Sequence, residues 1–250
     1  MILRRLSDQF ADEALACEDL AALGRLLAQA CRELGFSYYA LLHHASLAGL
    51  EGRFVLLENY PQPWRETFVA NRYAVHDPVH FASRRSAAPF RWNEIGRLVR
   101  LDRRQELVLR QSRLFGIGDG FTVPANAFGE PAGSCSFALA AGAELPEQRL
   151  PCAALIGAAA FAAARRIAGI ADQPLRTHVS RREAECLRLL ILGKTDWEAA
   201  AILGISEHTV RQYVKSVKAR YDVVSRAQLA LLGLADGWAE AMIRPPKRRR

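Results

Sequence analysis

The chain has 250 residues, half of which are apolar, and its formal net charge is +8. This length suits two ordinary domains, and the apolar fraction is ample for a packed core. The five cysteines are odd in number and form no CxxC pair, which argues against a disulfide scaffold and against a zinc site. The first residues lack the apolar core of a secretory signal, and the longest apolar run, Cys152 to Ala164, is too short to span a bilayer. We therefore expect a cytoplasmic protein with no membrane segment.

The positive charge is concentrated in the last third of the chain. Residues 174–250 contain 15 Lys and Arg against 8 Asp and Glu, whereas residues 1–173 contain 19 against 18. Such a local excess is typical of a module that binds nucleic acid, because cations displace counterions from phosphate. Residues 241–250 form a basic tail, which either strengthens nonspecific DNA binding or is a disordered solubilising end.

Hydrophobic periodicity predicts a mixed helix and sheet domain over residues 1–171. Three segments have apolar side chains at helical spacing, and four have the composition of strands. The helices are predicted at Asp19–Leu34, Arg103–Phe115 and Pro146–Ala171, and the strands at Phe36–Leu42, Arg53–Glu58, Phe121–Pro124 and Ser134–Ala140. Residues 116–120, with their glycines, are expected to end the helix Arg103–Phe115. A proline then interrupts the helical pattern in a short linker, residues 172–178.

Between these elements, aromatic residues crowd around one acid, Asp77. The aromatic residues are Tyr60, Trp64, Phe68, Tyr73 and Trp92. Such a set would form an apolar pocket with a few directional polar groups, which is how small-ligand sites combine affinity with orientation. An ordinary aromatic core, with Asp77 starting a loop, explains the same composition. The residues alone leave both interpretations open.

Residues 179–240 are predicted to form a second, all-helical domain. Ser180, Thr195 and Ser206 each precede a periodic apolar pattern and suit helix N-caps. Two of them form capping boxes, Ser180 with Glu183 and Thr195 with Glu198. The last two helices are separated only by residues 203–206, where a glycine permits the tight turn of a helix-turn-helix.

The helix after Ser206 is the candidate DNA reader. Its apolar stripe consists of Val210, Tyr213, Val214, Val217 and Tyr221. On the polar side of the helix, Arg, Lys and Gln side chains can hydrogen-bond to bases in the major groove. A residue at the helix N-terminus can contact a phosphate group. The predicted DNA-binding residues of this domain are Lys194, Thr195, Ser206, Glu207, His208, Thr209, Arg211, Gln212, Lys215 and Lys218. A solvated amphipathic helix is the alternative, which the three caps, the short turn and the clustered cations disfavour.

This segment resembles the DNA-binding domain of LuxR-type transcription regulators over about sixty residues. The similar motifs are Ser180-Arg181-Arg182-Glu183, Gly193-Lys194-Thr195, Ile205-Ser206-Glu207, Thr209-Val210, Val217, Arg220-Tyr221 and Val223. The chain departs from the family at Ala199, where a larger aliphatic residue is usual, and at Tyr213, where histidine is frequent. Both departures bear on packing and on the target sequence.

The aromatic segment is similar to the autoinducer-binding domain of the same regulators. The similar residues are Tyr60-Pro61, Trp64, Asp77-Pro78, Pro89-Phe90 and Trp92. The resemblance implies that Trp64 donates to the lactone carbonyl of an acyl-homoserine lactone, that Asp77 accepts from its amide, and that Tyr60 and Ser136 approach the acyl carbonyl. It also implies that Phe68 and Trp92 line the site. Phe68 stands where tyrosine is usual, and the loop before Ser136 also aligns with Ser134.

The expected fold class is α+β, with an N-terminal α-β-α sandwich that binds ligand and a C-terminal all-α helix-turn-helix domain. The resemblance implies a quorum-sensing receptor for an acyl- or aryl-homoserine lactone, acting as a homodimer on a palindromic operator of double-stranded DNA, with RNA polymerase as a further partner. Pro146–Ala171 is the candidate for part of the dimer contact. The alternative is a regulator of the same type that responds to another small molecule or acts without ligand.

Two other classes of protein are disfavoured. His76, Asp77 and His80 suggest metal-assisted lactone hydrolysis, but a catalytic zinc needs a third protein ligand and an open position, and His43-His44 stands isolated in sequence. A response regulator would show alternating strands and helices with an early acidic cluster, a pattern that the first part of the chain lacks. We therefore expect no enzyme activity, no metal and no cofactor.

Overall fold

The computed structural model describes residues 2–44, 55–126, 132–170, 179–235 and Trp238. These residues form two compact units, one on each side of residues 171–178. The predicted linker, the basic tail and the start of the predicted strand at Arg53 lie outside the described residues. The proposed domain limits, 1–171 and 179–240, stay predictions.

The first unit is built on one antiparallel sheet of five strands. The strands are β1 (Tyr38–His43), β2 (Leu56–Glu58), β3 (Phe90–Arg91), β4 (Ile117–Ala125) and β5 (Gly133–Ala140), in the order β2-β1-β5-β4-β3. The central strand β5 places Ser136 opposite Ala40 of β1 and Thr122 of β4. Because side chains alternate along a strand, Cys135 and Phe137 point to one face, and Ser134 and Ser136 to the other.

Helices cover both faces of this sheet, as an α-β-α sandwich requires. The helices are α1 (Ile2–Ala16), α2 (Leu20–Glu33), α3 (Gln62–Ala70), α4 (Pro78–Arg85), α5 (Ile95–Leu98), α6 (Arg103–Leu114) and α7 (Leu150–Ile167). The main core joins α1, α2 and α7 to the Phe137 face. A smaller cluster of Trp64, Val108, Ile117 and Ala138 joins α3 and α6 to the opposite face. The expected fold class is confirmed.

Two predicted elements have different limits in the structure. The helix before residues 116–120 ends as predicted, with its last residue at Leu114 and a positive φ of 79° at Gly116, but β4 begins at Ile117, earlier than the predicted start at Phe121. Gly118 and Gly120 suit a strand here, since a Cβ would lie 2.7 Å from Ala140 O and 2.7 Å from Trp92 Cε2, respectively. The predicted helix from Pro146 begins as a 3₁₀ turn, and α7 ends at Ile167, shortly before Gly169 takes a positive φ of 65°.

One described helical segment, Glu147–Ile167, is long and apolar enough to cross a membrane by length and composition. Half of its most apolar window is nevertheless buried inside the unit, and residues such as Ile156, Ala160 and Phe161 belong to the main core. These are the contacts of a helix that packs one side against the core of the unit. They explain why an alanine-rich helix is so apolar.

The described residues of the second unit form four helices around a core of their own. They are α8 (Arg181–Ile191), α9 (Asp196–Leu203), α10 (Glu207–Arg220) and α11 (Arg226–Ala235). Ser180, Thr195 and Ser206 cap the first three, and both predicted capping boxes are present. Gly204 ends α9 with a φ of 65°, which allows the tight turn into α10. All five residues of the predicted apolar stripe lie in or against the core.

Candidate ligand cavity and nucleic-acid interface

A cavity of about 830 Å³ lies between the sheet and the helices α3, α4 and α6. All six residues predicted to bind ligand line it: Tyr60, Trp64, Phe68, Asp77, Trp92 and Ser136. They come from distant parts of the chain, and the fold brings them together. Trp64 and Phe68 share one face of α3, because residues four positions apart are neighbours on a helix. Asp77 caps α4, and Ser136 faces the cavity from the centre of the sheet.

Trp64 is the central aromatic side chain of the cavity wall. Its ring centroid lies 5.6 Å from that of Phe68, 5.9 Å from that of Tyr73 and 5.6 Å from that of Phe115. Tyr73 packs against Trp64 and Phe68 but does not line the cavity, so the aromatic residues form a wall and a small core behind it. Trp64 is only 5% exposed, and within the described residues its Nε1–H makes no hydrogen bond. The indole is therefore a donor available to a ligand.

Asp77 supplies an acceptor to the cavity, whose lining also includes Glu58. Its Oδ1 accepts from the Val79 amide at 2.9 Å, and its Oδ2 lies 3.5 Å from His80 Nε2. Burial, followed by the charge of Asp77, raises the pKa of Tyr60 well above its usual range. Tyr60 therefore stays neutral and keeps its proton, and no described group shares that hydroxyl in a hydrogen bond.

Trp92 lines the cavity, but its indole Nε1–H already donates a hydrogen bond within the protein. Trp92 Nε1–H donates to Thr122 Oγ1 at 2.8 Å, and this hydroxyl lies 2.8 Å from Ser136 Oγ. Thr122 is fully buried, and among the described groups its hydroxyl contacts only these two residues. Because the Trp92 indole can only donate, Thr122 is the acceptor in that bond. The hydroxyl proton of Thr122 is then available to donate to Ser136 Oγ. The Ser136 proton is then free to point into the cavity.

Sequence reasoning missed a second polar group on the cavity wall. His44, which follows β1, stacks on His80 with ring centroids 4.2 Å apart and planes 14° apart. His44 Nε2 lies 2.9 Å from Ser134 Oγ, and all three residues line the cavity. The contact between residues 44 and 134 results from the pairing of β1 with β5. A local sequence pattern does not predict such a contact. The fold thus brings His44 next to His80, from which it is distant in sequence.

The candidate metal ligands do not converge. His76 lies outside the cavity lining, and its Nε2 is 3.4 Å from Arg104 Nη1. Over the residues that the structure describes, no group of three His, Cys, Asp or Glu side chains is placed to hold a metal ion. The five cysteines are free thiols.

In the second unit, α10 presents the predicted reader face. His208, Arg211, Gln212 and Lys215 are exposed, whereas Glu207, Thr209 and Lys218 are half-buried. The exposed Ser206 hydroxyl accepts from the Thr209 amide at 3.1 Å and so caps the helix. This face carries donors and cations beside a helix N-terminus, as contact with bases and phosphates requires.

Two of the cations predicted to bind DNA, Arg211 of α10 and Lys194 before α9, have acidic neighbours. Arg211 pairs with Glu207 and lies 3.6 Å from Asp196 Oδ2 of α9. Lys194 Nζ lies 3.0 Å from Glu198 Oε1, whose other oxygen accepts from the amide of the exposed cap residue Thr195 at 2.8 Å. These pairs offset part of the positive charge of the two side chains.

Comparison with known families identifies both units. Residues 19–167 match the autoinducer binding domain, and residues 177–232 match the bacterial regulatory proteins of the luxR family. The chain belongs to the LuxR family of autoinducer-binding transcription regulators. A member of this family is a ligand-responsive, quorum-sensing regulator that binds DNA through its helix-turn-helix domain.

Relatives of this LuxR-type regulator cover most of its length. The transcriptional activator AhyR of Aeromonas hydrophila is 27% identical over 221 residues, which is 86% of this chain and 85% of AhyR. The activator LuxR of Aliivibrio fischeri is 24% identical over 225 residues, covering 85% of this chain and 86% of LuxR. The crystal structure of Escherichia coli SdiA aligns with a TM-score of 0.66 at 22% identity, over 93% of this chain and 97% of SdiA. At that identity the likeness establishes the fold.

Proposed function

We propose that the ligand of this LuxR-type regulator is an acyl- or aryl-homoserine lactone. The observation that carries the proposal is the set of polar groups around one apolar cavity: the Trp64 indole and the Tyr60 and Ser136 hydroxyls as donors, and Asp77 as acceptor. An N-acylated lactone has the complementary groups, which are two carbonyls and one amide N–H between apolar parts. Trp64 would donate to the lactone carbonyl and Asp77 would accept from the amide. Tyr60 and Ser136 would donate to the acyl carbonyl.

The remaining predicted site residues would contribute apolar surface. Phe68 has no hydroxyl, so its contact with the ligand is limited to its ring. Trp92 would cover the ligand with its ring, because its N–H is held by Thr122. Neither residue adds a polar contact, and orientation then depends on Trp64, Asp77, Tyr60 and Ser136.

A second class of ligand is favoured by one specific observation. A solved structure of SdiA, at a TM-score of 0.66 and 22% identity, is described as a complex with octanoyl-rac-glycerol. An acylglycerol has hydroxyls but no amide N–H. Its hydroxyls would donate to Asp77 in place of the amide N–H.

Asp77→Asn tests the proposal. Asparagine is also a good N-cap, so α4 keeps its start, but the acceptor-only carboxylate becomes an amide. We expect a homoserine lactone to bind the variant roughly 10- to 100-fold more weakly, because a charge-assisted hydrogen bond contributes about 1.5–3 kcal/mol. Isothermal titration of the full chain measures this change. Unchanged lactone affinity in a folded variant would remove Asp77 from the site.

Trp64→Phe is the companion variant, because it keeps much of the aromatic body and deletes only the donor. A lower lactone affinity at unchanged thermal stability supports a direct contact. A change confined to stability shows that Trp64 only packs in the core, and it contradicts the assigned role.

For the second unit, we propose that α10 enters the major groove of a palindromic operator as part of a homodimer. Half-site centres would lie about one helical turn, roughly 34 Å, apart. The proposed contacts are Lys194, Thr195, Ser206, Glu207, His208, Thr209, Arg211, Gln212, Lys215 and Lys218. RNA polymerase is the proposed further partner, the proposed compartment is the cytoplasm, and no enzyme activity is proposed. Monomeric binding to a non-symmetric site in gel-shift titrations would contradict the dimer.

The outer face of α7 is the proposed part of the dimer contact. Its inner face is taken up by the core, but Leu155 is 59% exposed, and the exposed Ala158 and Ala162 follow it along the same side. Leu155→Asp should weaken dimerisation in analytical ultracentrifugation without unfolding the unit. If the variant is still fully dimeric, the dimer contact does not include this face of α7.

A further inference from the structure

Two serines face the cavity from the central strand. Ser134 and Ser136 are two positions apart on β5, so their Cα atoms are separated by roughly 7 Å on the same side of the sheet. Both line the cavity and both are buried. Ser136 receives its hydrogen bond from Thr122, and Ser134 has a different partner, His44.

The surroundings of His44 determine how it bonds to Ser134. Burial first, and then the charges of His80, Arg84 and His43, lower the pKa of His44 to about 2, so its imidazole is neutral and has one N–H. Within the residues that the structure describes, Nδ1 of His44 is buried and has no hydrogen-bond partner, whereas Nε2 lies 2.9 Å from Ser134 Oγ. A buried N–H without a partner is rarer than a buried acceptor without one. The proton therefore belongs on Nε2, which donates to Ser134.

With the proton on His44 Nε2, the hydroxyl proton of Ser134 takes no part in the hydrogen bond between His44 and Ser134. Ser134 Oγ accepts from His44, so its own O–H can be directed at a cavity occupant, as the Ser136 O–H can. The stack of His44 on His80 holds the imidazole in place, at a centroid distance of 4.2 Å. The cavity thus has two oriented hydroxyl donors in line along one strand.

We propose that Ser134, oriented by His44, is a specificity-determining donor that selects lactones with a second hydrogen-bond acceptor in the acyl or aryl part. The inference rests on the proposed lactone function, in which Ser136 donates to the amide carbonyl. A β-keto group places a second carbonyl close to the first, within reach of the neighbouring serine. A ligand without this acceptor would leave the buried Ser134 hydroxyl unpaired, which costs affinity.

The experiment compares two lactones of equal chain length, N-(β-ketooctanoyl)homoserine lactone and N-octanoylhomoserine lactone, on the full chain. Titration calorimetry should show about tenfold tighter binding of the β-keto compound, the effect of one buried neutral hydrogen bond. Ser134→Ala should abolish this preference by weakening only the β-keto compound. Ser136→Ala is the matched control. It should weaken both lactones to a similar extent and keep the preference.

His44→Phe tests the orienting role separately. Phenylalanine keeps a flat ring against His80 but has no N–H for Ser134, so the preference should shrink although Ser134 is still present. His44→Gln, which restores a donor, should recover part of it. Thermal melting of each variant shows whether the fold is kept, and the ratio of the two affinities does not depend on the fraction folded.

Three results would overturn the inference. They are equal affinity of the unmodified protein for the two lactones, a preference that survives Ser134→Ala, and an equal loss for both lactones in that variant, which would place the amide carbonyl at Ser134. If neither lactone binds the unmodified protein, the proposed lactone function itself fails. That outcome differs from the other three, in which at least one lactone binds.

Discussion

The indole Nε1 of Trp92 lies 2.8 Å from Thr122 Oγ1, and this contact sets the direction of the hydrogen bond that reaches Ser136. We expect Thr122→Val to weaken lactone binding about tenfold, because the Ser136 hydroxyl loses its orienting donor. The buried indole N–H also loses its acceptor, which should lower the free energy of unfolding by roughly 1–3 kcal/mol. Titration calorimetry and denaturant unfolding measure the two effects.

Thr122→Ser is the matched control for this substitution, since it keeps the hydroxyl and removes only a methyl group. It should retain most of the lactone affinity. Equal losses in the valine and serine variants would show that packing of the methyl group, rather than the hydroxyl, supports the site.

The position of Trp92 depends on a glycine of the neighbouring strand. A Cβ at Gly120 would lie 2.7 Å from Trp92 Cε2 and 2.8 Å from Phe137 O, so Gly120→Ala has to displace the indole. We expect this variant to lose roughly 1–3 kcal/mol of unfolding free energy and to bind lactone more weakly. Gly96→Ala is the control, because nothing lies within 4 Å of a Cβ there. Equal thermal midpoints for the two variants would contradict the predicted collision.

Local patterns in the sequence were sufficient for the elements whose causes are local. The caps at Ser180, Thr195 and Ser206, the turn at Gly204 and the apolar stripe of α10 depend on residues within one or two helical turns, and the structure confirms them. Resemblance to a family placed Tyr60, Trp64 and Asp77 together, which the aromatic composition alone did not decide.

The missing parts of the site depend on strand register. His44 meets Ser134 across 90 residues of sequence, and Trp92 meets Thr122 across 30. Such contacts follow from the pairing of β1 with β5 and of β3 with β4, which periodicity does not specify. The start of β4 at Ile117 was not predicted, for a similar reason. Gly120 lies within this strand, where it allows close packing against Trp92.

The helix-turn-helix unit should lose stability in acid through Glu183. Burial of this carboxylate raises its pKa, but hydrogen bonds from Ser180, Ser216 and Arg220 outweigh burial, and the pKa falls from 4.5 to about 2. A group whose pKa is lowered on folding stabilises the fold above its unfolded pKa, and this contribution is lost as the pH falls from about 5 towards 2. Hydrogen exchange of the α8 and α10 amides in the full chain, corrected for the intrinsic rate at each pH, measures it.

Glu183→Gln isolates the charge, because glutamine still accepts the N-cap amide but no longer pairs with Arg220, whose Nη1 lies 2.8 Å from Glu183 Oε2. We expect a loss of about 1–3 kcal/mol near neutral pH and a weaker pH dependence below 5. Glu198→Gln, the same change in the other capping box, should have a smaller effect, since the Glu198 side chain is 36% exposed and that of Glu183 only 5%. Similar losses in both variants would contradict the role assigned to burial.

The reader face of α10 separates side chains that would read bases from those that would meet phosphate. Gln212 and Arg211 are exposed one turn into the helix, and Lys215 is exposed one turn further on. If Gln212 pairs with a base, Gln212→Ala should change the preference among operator variants and leave the salt dependence nearly unchanged. Arg211→Ala should also change base preference, although part of its effect comes from releasing Asp196 and Glu207.

Lys215→Ala is the contrasting variant, because a lysine that neutralises one phosphate contributes equally to all sequences. It should weaken binding to every operator by a similar factor and reduce the magnitude of the slope of log affinity against log salt by about 1. Gel-shift titrations at several salt concentrations, on a panel of single-base operator variants, measure preference and slope together. The major-groove assignment is wrong if neither Gln212→Ala nor Arg211→Ala alters base preference, since a helix docked only on phosphates would respond to Lys215 alone.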